Sequence, residues 1–322
     1  MEINENGLRP KFLNEFIGQK ELIYKLSIYI NVAKKKKEVL DHILFYGPSG
    51  CGKTTLANLI ANEMGVNIKV INAANIEKPY ELISLLLSLE PGDILFIDEI
   101  HRLTHQLEEI LYSAMEDFFI ESIISKNEST SNIHINLPPF TLIGATTLYG
   151  LISTPLRMRF SICEKLSFYN INEMMDIINR NARLYNFKIT KEATENIAKR
   201  SRGVPRIGNN LVKRIRDFTL YKNKKIIDTE IVDETCSFLK IDKIGLNEDD
   251  MMYLKVLYNN GNILCLGINS LSILLNYDSK TIEETIEPYL LKLKFIEKGK
   301  SGRILTTVGI NYIKKKVNLF LD

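Results

Sequence analysis

Gly47-Pro48-Ser49-Gly50-Cys51-Gly52-Lys53-Thr54 is the stretch that decides how this 322-residue chain folds. It follows the apolar run Ile43–Tyr46, and a segment with helical spacing of apolar residues begins directly after it. A strand, a glycine-rich loop and a helix in this order form a cradle for phosphate. The glycines let backbone N–H groups turn towards the phosphate oxygens, and the helix N-terminus adds positive potential. The stretch therefore predicts a nucleoside triphosphate site, and the alternative of a mere glycine turn does not account for the flanking strand and helix.

Each residue type in this loop has a predicted task. Lys53 is expected to reach the β- and γ-phosphates of ATP, and the Thr54 hydroxyl to bind Mg²⁺. The remaining predicted nucleotide contacts of the loop are Gly50, Cys51, Gly52 and Thr55. Cys51 has two interpretations: a reactive thiol beside a helix N-terminus, or a small side chain that fills space.

The composition is that of an ordinary globular protein with room for two or three domains. Hydrophobic residues make up 45% and charged residues 25% of the chain, as is typical of soluble proteins. The polar N-terminus does not resemble a secretion signal, and no apolar run approaches the ~20 residues of a membrane span. The four cysteines are scattered without a Cys-x-x-Cys pair. We therefore expect a cytoplasmic protein without a membrane partner. The net charge of +3 is too small to indicate nucleic acid by itself.

Two acidic residues follow a second apolar run. Ile94–Ile97 is typical of a strand in a parallel sheet that is covered on both faces, and it leads into Asp98 and Glu99. Downstream of a phosphate loop, Asp98 is expected to hold Mg²⁺, and Glu99 to orient and deprotonate the attacking water. The alternative is a strand that ends in an acidic helix cap. The pair favours hydrolysis of the nucleotide over binding alone.

A further apolar strand, Phe140–Ala145, ends at Thr146 and Thr147. Strands that alternate with helices predict a doubly wound α/β sheet with its ligand at the carboxyl ends of the strands. We therefore expect Thr146 and Thr147 to face the γ-phosphate and to sense its loss. Two arginines, Arg157 and Arg159, follow the sheet and are candidates for an arginine finger, which in a ring reaches the ATP of the neighbouring subunit. A surface salt-bridge arginine is the alternative.

The spacing of apolar residues becomes helical after about Asn170. It predicts a small helical lid domain at residues 170–242, after a large ATPase domain at residues 1–169. Arg206 stands at the start of one of the lid helices. It is predicted to lean back over the bound phosphates and to couple nucleotide state to the angle between domains.

Residues 243–322 predict a separate winged-helix domain. Residues 270–291 read as a helix-turn-helix, and two strand-like runs then flank the turn Gly299-Lys300-Ser301-Gly302. The basic tip of this wing is predicted to meet the DNA backbone through Lys298, Lys300 and Arg303. The recognition helix carries Glu283, Glu284 and Glu287, which would repel phosphates and argue against contacts between that helix and the DNA backbone. A winged helix that contacts only protein is the alternative.

The chain resembles the RuvB family, the bacterial Holliday-junction branch-migration motors of the AAA+ class. The resemblance runs from about Leu8 to Thr306. The strings that carry it include Ile17-Gly18-Gln19, Ile94-Leu95-Phe96-Ile97-Asp98-Glu99-Ile100-His101-Arg102-Leu103, Ala114-Met115-Glu116-Asp117, Leu137-Pro138-Pro139-Phe140-Thr141-Leu142-Ile143-Gly144-Ala145-Thr146-Thr147, Arg214-Ile215-Arg216-Asp217-Phe218 and Glu287-Pro288-Tyr289-Leu290. The fold class that it implies is an α/β AAA+ P-loop ATPase domain with a parallel sheet, a small helical lid domain and a C-terminal winged-helix domain.

The resemblance also implies an activity and partners. It implies a homohexameric ring around double-stranded DNA that hydrolyses ATP, with Mg²⁺, to move a Holliday junction. RuvA is the implied partner, and the RuvC resolvase is a further candidate. The segment at about 119–137 is implied to be a hairpin that docks RuvA through Ile133 and Ile135.

Several residue roles come from the same resemblance. Arg159 matches the arginine finger that acts in trans, and Arg206 matches the second sensor of the nucleotide. Lys298 and Arg303 match DNA-contacting positions of the wing. Further positions near the nucleotide are implied for Leu8, Arg9, Glu116, Asp117, Phe118 and Tyr169.

Four positions depart from the family pattern. Ser49 and Cys51 replace a proline and a leucine of the loop, Leu148 stands where arginine is usual, and Ser301 replaces an arginine of the wing. None of them removes a catalytic group. Two other functions fit parts of the sequence. A clamp-loader-type AAA+ switch would lack the winged helix, and a non-catalytic DNA-binding regulator would not keep the full set of catalytic groups.

Overall fold

The computed structural model describes residues 9–126, 129–260 and 265–318, with the side chains of these ranges except at 122–133 and 317–318. The chain divides into two compact units. One contains the residues through Phe187 together with Gly203–Asn210, and the other contains Lys188–Arg202 and the residues from Leu211 onwards. The division into domains at 1–169, 170–242 and 243–322 is finer than this one and stays a prediction.

A parallel five-stranded sheet forms the centre of the first unit. Its strands are β1 (Ile43–Tyr46), β2 (Ile68–Asn72), β3 (Ile94–Asp98), β6 (Thr141–Thr146) and β7 (Ile162–Lys165). They lie in the order β2-β3-β6-β1-β7, with Ile43 beside Ile143 on one side and Ile162 on the other. The side chains of β1, β3 and β6 are almost entirely buried, as expected when helices cover both faces. The predicted parallel α/β sheet is confirmed.

The unit of this sheet also contains helices. They are α1 (Lys20–Lys36), α2 (Lys53–Met64), α3 (Pro79–Leu87), α4 (His105–Glu116), α5 (Thr154–Met158) and α6 (Ile171–Leu184). One apolar cluster joins Leu95 and Leu142 of the sheet to Leu86 of α3 and Leu111 of α4. The burial of each such side chain stabilises the folded protein by about 1.5 to 3 kcal/mol. No helix in the described ranges is long and apolar enough to cross a membrane.

A hairpin forms its own two-stranded sheet beside the main one. It consists of β4 (Phe119–Lys126) and β5 (Ser129–Asn136), antiparallel, with Phe119 opposite Asn136 and Lys126 opposite Ser129. At its base the Leu137 N–H donates to the Phe118 carbonyl at 2.7 Å. The backbone thus has the hairpin that the resemblance implied within 119–137.

The second unit begins with lid helices. These are α7 (Lys191–Arg200), the larger part of α8 (Pro205–Tyr221) and α9 (Thr229–Phe238), with the short parallel pair β8 (Lys188–Ile189) and β9 (Ile226–Ile227). Thr190 and Asp228 cap α7 and α9 by accepting backbone N–H bonds, as residues of these types do at helix starts. The first residues of α8, including Arg206, belong to the unit of the sheet.

The rest of the second unit is a winged helix, as predicted. Its helices are α10 (Glu248–Asn260), α11 (Ile268–Leu275), α12 (Ser279–Thr281), α13 (Glu287–Lys292) and α14 (Thr307–Asn318), and a π-helical turn over Ile282–Ile286 joins α12 to α13. The wing is β10 (Ile296–Gly299) paired antiparallel with β11 (Gly302–Leu305). Tyr253, Leu271, Leu290 and Ile313 meet in its core.

Two arginines of the lid form hydrogen bonds to the start of the winged helix within this unit. Arg202 donates from Nη2 to Asp250 Oδ2 at 2.5 Å and from Nε to the Gly245 carbonyl at 2.8 Å. Arg200 donates from Nε to the Asp242 carbonyl at 3.1 Å. A Cβ at Gly245 would lie 2.5 Å from the Arg200 carbonyl oxygen. The sequence predicts a linker at residues 241–245, between the lid and winged-helix domains, and the structure holds this stretch by hydrogen bonds and close packing.

Candidate nucleotide-binding and catalytic site

The loop between β1 and α2 has a backbone that only glycine adopts easily. Gly47, Gly50 and Gly52 have φ values of 132°, 76° and 110°, in a region that strains other residues. A Cβ at Gly47 would lie 2.2 Å from the Leu166 carbonyl oxygen. Strand β1 therefore passes directly into a tight glycine loop at the N-terminus of α2, as the motif predicts.

Lys53 is enclosed by this loop. It is the first residue of α2 and is 6% exposed. Its Nζ donates to the carbonyls of Gly47 at 2.8 Å and Pro48 at 3.1 Å. Burial lowers the pKa of Lys53, and the nearby charges of Glu99 and Asp98 oppose that shift. The loop thus holds an ammonium group that faces two carboxylates.

The other loop residues are placed by α2 and by Tyr169. Thr54 and Thr55 are half-buried in the first turn of α2. Cys51 is fully buried, and its carbonyl accepts a hydrogen bond from the Tyr169 hydroxyl at 3.1 Å. Burial raises the pKa of Tyr169, so it stays a donor. The burial of Cys51 favours the interpretation as a space-filling side chain.

Asp98 and Glu99 occupy the carboxyl end of β3. Asp98 Oδ1 accepts the Glu99 N–H at 3.0 Å. Loss of hydration by burial raises the pKa of Asp98, so a cation beside this carboxylate would stabilise its charged form. Glu99 has a left-handed backbone with φ 49°, which is uncommon outside glycine and is concentrated at functional sites.

The two threonines after β6 have different surroundings. Thr147 donates from its hydroxyl to Glu99 Oε2 at 3.2 Å, and its N–H points to the same oxygen at 3.3 Å. Thr146 is fully buried, and its hydroxyl lies 3.0 Å from His101 Nδ1. Thr147 therefore contacts the predicted catalytic carboxylate directly, whereas Thr146 contacts it through a histidine.

Arg206 contacts the phosphate loop from the start of α8. Its N–H donates to the Gly50 carbonyl at 3.3 Å, and Nη1 donates to Ser49 Oγ at 3.4 Å. A Cβ at Gly50 would lie 2.9 Å from Arg206 Cβ and 2.8 Å from a methyl group of Val204. The structure thus brings Arg206 to the loop.

Arg159 is held elsewhere on the same unit. Its Nη2 donates to Glu116 Oε2 at 3.1 Å, Nη1 donates to the Pro155 carbonyl at 3.0 Å, and the guanidinium lies 4.2 Å from the centre of the Tyr112 ring. Arg159 Nε is buried without a hydrogen-bond partner among the described residues. These contacts do not include the phosphate loop, so the structure does not bring Arg159 to Lys53 of its own subunit.

The other implied nucleotide positions are scattered. Leu8 lies outside the described residues, and Arg9 is exposed. Asp117 follows the end of α4 and is exposed. Phe118 has φ 53° and packs its ring against those of His42 and Phe140 at the base of the hairpin. Their roles towards a nucleotide stay predictions.

The basic residues of the wing are not equivalent. Arg303 donates from Nε to Glu287 Oε1 at 2.9 Å and from Nη2 to Glu283 Oε1 at 2.6 Å. Lys298 forms ion pairs with the same two glutamates. Lys300 lies exposed in the turn between β10 and β11. The glutamates of the recognition helix thus face the cations of the wing, which sequence alone did not predict.

On the hairpin, Ile135 is half-buried opposite Ile120. The ring of the neighbouring His134 lies tilted against that of Phe119, with 4.5 Å between their centres. The side chain of Ile133 lies outside the described residues. The structure therefore places one of the two predicted partner contacts.

Comparison with known families decides the identity of this arrangement. Three family models match in succession: Holliday junction DNA helicase RuvB P-loop domain at residues 8–166, RuvB AAA lid domain at 169–242, and RuvB C-terminal winged helix domain at 243–314. This chain belongs to the RuvB family. The subunit RuvB of the Holliday junction branch migration complex from Ligilactobacillus salivarius is 48% identical over 98% of this chain and 94% of its own length. The protein of the same name from Wolbachia sp. subsp. Brugia malayi is 45% identical over 97% of this chain and 95% of its own length.

Solved RuvB structures have the same fold. Thermotoga maritima RuvB, described as a Holliday junction branch migration motor, superposes with a TM-score of 0.87 at 45% identity, over 95% of this chain and 98% of the other. A variant of that RuvB with a lysine replaced by arginine gives a TM-score of 0.88 at 45% identity, with the same coverage. The resemblance that the motifs indicated is confirmed along nearly the whole chain.

Sequence reasoning missed two residues of these sites. His101 stands two positions after Glu99 in the string Asp98-Glu99-Ile100-His101, and that proximity is the signal that could have assigned it a role. Glu287 was regarded as a charge that repels DNA, but it is fully buried against Arg303. Only the fold shows which way its carboxylate points.

Proposed function

We propose that this RuvB-family chain is an ATP-driven DNA translocase that works with RuvA as a homohexameric ring and drives branch migration of Holliday junctions. One observation carries the proposal: Glu99, held by Thr147, lies near Lys53 of a complete phosphate loop in a chain that also contains a winged helix. The printed names of its relatives, subunits of the Holliday junction branch migration complex, support the same activity.

ATP binding follows from the loop. Its backbone N–H groups and the N-terminus of α2 would cradle the phosphates, and Lys53 would exchange its bonds to loop carbonyls for bonds to the β- and γ-phosphates. Arg206 already contacts the loop through Ser49 and Gly50. From there Arg206 would contact the nucleotide and couple its state to the lid. Tyr169 would hold the loop in place through its hydrogen bond to the Cys51 carbonyl.

The oxygen donors at the site fit Mg²⁺. The Thr54 hydroxyl and the Asp98 carboxylate would hold it. The described residues contain no group of three or more His, Cys, Asp or Glu side chains that could hold a metal alone. Such a sparse protein shell suits Mg²⁺, which usually shares its ligands with phosphates and water. When bound, this ion neutralises charge on the phosphates.

Hydrolysis would use Glu99 of one subunit and Arg159 of the neighbouring subunit. Glu99 would accept a proton from the water that attacks the γ-phosphorus, giving ADP and phosphate. Arg159 would supply positive charge to that transition state in the neighbouring subunit, since in its own subunit its guanidinium is bound to Glu116 and Tyr112. Thr147 would report loss of the γ-phosphate to Glu99 through their hydrogen bonds.

The remaining surfaces would serve DNA and partners. Lys300 at the tip of the wing would contact the DNA backbone, and the hairpin would dock RuvA through Ile135 together with Ile133. The RuvC resolvase is a further candidate partner, and the cytoplasm is the compartment in which these reactions would occur. Residues 1–169, 170–242 and 243–322 would act as ATPase, lid and DNA-binding domains.

A clamp-loader-type AAA+ switch remains the second candidate because it would share the ATP site. The winged helix at α10 to α14 disfavours it, as such a switch opens another ring and has no need of a wing on DNA. The three successive RuvB matches point the same way.

The deciding experiment is junction unwinding. The purified protein is added to a synthetic four-way junction with RuvA and ATP, and the conversion to two-armed products is followed by gel electrophoresis. We expect conversion that requires both RuvA and ATP. Lys53→Ala and Glu99→Gln should abolish it together with ATP hydrolysis, while Glu99→Gln still binds ATP. Lys36→Ala, an exposed change at the end of α1, serves as the matched control.

Two results would contradict the proposal. Wild-type protein that hydrolyses ATP without moving the junction would favour the switch function. Junction movement that persists in Glu99→Gln would refute the role of the catalytic carboxylate.

A further inference from the structure

Three donors converge on one oxygen of Glu99. The hydroxyl and the N–H of Thr147 lie 3.2 and 3.3 Å from Glu99 Oε2, and His101 Nδ1 lies 3.2 Å from the same atom. These contacts hold the carboxylate of Glu99 through one oxygen, Oε2.

His101 is placed to act on Glu99 by the turn that follows β3. A 3₁₀ turn over Ile100–Arg102 comes directly after Glu99 and carries the imidazole back towards it. The His101 side chain is 6% exposed, so its polar contacts are made away from bulk water, where they are stronger.

The same nitrogen links Glu99 to β6. His101 Nδ1 lies 3.0 Å from Thr146 Oγ1, and that hydroxyl oxygen accepts the Leu148 N–H at 2.9 Å. An ionised carboxylate only accepts hydrogen bonds. Nδ1 therefore donates to an ionised Glu99 only when it carries the imidazole proton, and Glu99 Oε2 and Thr146 Oγ1 would then share that N–H. This network needs only the backbone of Leu148, so it survives the departure from arginine at that position.

We propose that His101 is a positioning residue for ATP hydrolysis: its Nδ1–H fixes the carboxylate of Glu99 and ties it to Thr146 at the end of β6. The inference rests on the proposed function, because it assumes that Glu99 activates water. A base oriented by a third group is a general arrangement in hydrolytic sites. Here the third group also joins the ends of two neighbouring strands, so the base keeps a defined place relative to the phosphate loop.

Loss of the imidazole should affect turnover and not binding. Without Nδ1–H, Glu99 keeps only Thr147 as a described donor and gains rotational freedom. Misplacement of a catalytic group by about 1 Å costs on the order of 100-fold in rate. We expect His101→Ala to lower kcat by about 10- to 100-fold, with the KM for ATP and the affinity for ATP unchanged.

Two amide variants separate positioning from packing. The side-chain amide of Asn can place an N–H near the position of Nδ1, whereas that of Gln reaches towards Nε2. His101→Asn should keep kcat within about threefold of wild type, while His101→Gln should fall with His101→Ala. His105→Ala is the matched control, because His105 is 75% exposed and pairs only with Glu109 in its described contacts.

The measurements are steady-state ATPase rates, binding of a fluorescent ATP analogue and melting temperature for each variant. Equal losses in His101→Asn and His101→Gln would overturn the inference, as would a kcat in His101→Ala that equals the wild-type value. Either result with normal wild-type junction unwinding leaves the proposed function standing. Absence of ATPase in the wild-type protein would instead refute the proposed function itself.

Discussion

The Nε atom of Arg303 donates to Oε1 of the fully buried Glu287 across 2.9 Å. The hydroxyl of Tyr253 donates to the same oxygen at 2.9 Å, and burial raises the pKa of that hydroxyl so that it stays a donor. This contact joins the wing to α10 and α13. An arginine that the family resemblance assigns to DNA therefore also holds its own domain together.

Replacing Arg303 should destabilise the winged helix. Arg303→Gln leaves the Glu287 carboxylate with less compensation, and removal of one partner of a buried pair costs about 3 to 5 kcal/mol. Lys298 also pairs with Glu287 and should keep the loss near the lower end of that range. Amide hydrogen exchange in α10 and α13 measures the effect. Unchanged protection in Arg303→Gln would show that the pair does not stabilise the domain.

Lys300 should affect DNA and not stability. It is exposed at the tip of the wing, so Lys300→Gln removes one phosphate contact without disturbing the core. We expect weaker binding to duplexes of any sequence and a salt dependence of log K that is shallower by about 1. Titration of a labelled duplex at several salt concentrations measures both. Exposed Lys255→Gln in α10 is the control, and equal effects of the two variants would argue against a contact at the tip.

Arg159 should act on the neighbouring subunit. Arg159→Ala is expected to bind ATP normally and to lose about 1,000-fold or more in turnover. Mixing it with Glu99→Gln should restore ATPase, because mixed rings contain sites with an intact Glu99 from one variant and an intact finger from the other. Arg157→Ala, which loses a contact to the Tyr149 ring at 5.2 Å, is the control. If the mixture stays inactive, the shared site does not exist.

Gly47 should tolerate no other residue. In Gly47→Ala the new Cβ would lie 2.2 Å from the Leu166 carbonyl oxygen at a φ of 132°, so β1, β7 and the loop must move apart. We expect loss of ATP binding and a lower melting temperature. Gly150→Ala is the matched control, since a Cβ there meets nothing within 4 Å. Normal ATP affinity in Gly47→Ala would show that the loop can adopt another backbone.

The hairpin should contact RuvA without influencing the ATP site. Ile135→Ser removes half-buried apolar surface from β5, so pull-down of RuvA should weaken by about tenfold for a loss of about 1.4 kcal/mol. Basal ATPase should not change. His134→Ala changes the opposite face of the same strand and is the control. An undiminished pull-down in Ile135→Ser would place the RuvA contact elsewhere.

The parallel sheet and the phosphate loop were predictable because their signals are local. Ile94–Ile97 is apolar without alternation, and a strand buried on both faces needs that composition. The glycines at 47, 50 and 52 predicted a tight phosphate loop, and their positive φ values fit such a loop. Period and residue type sufficed for these elements.

The pairing of side chains was not predictable because it depends on contacts between distant elements. Thr146 and Thr147 are neighbours in sequence, yet one is buried on His101 and the other contacts Glu99. In the sequence, Glu287 and Arg303 look like ordinary surface charges. Only the fold shows that both side chains point into the interior of the winged helix. The same holds for Arg202 and Asp250, which convert an expected linker into a fixed joint.

The burial of Cys51 has a practical consequence for labelling. Its thiol lies inside the loop at 0% exposure, whereas Cys163 on the edge strand β7 is exposed. Partial burial of the Cys163 thiol raises its pKa, so mildly alkaline conditions favour its reaction with a maleimide dye. A maleimide dye would therefore attach at Cys163, and to a smaller extent at the half-buried Cys265, with the phosphate loop left chemically untouched.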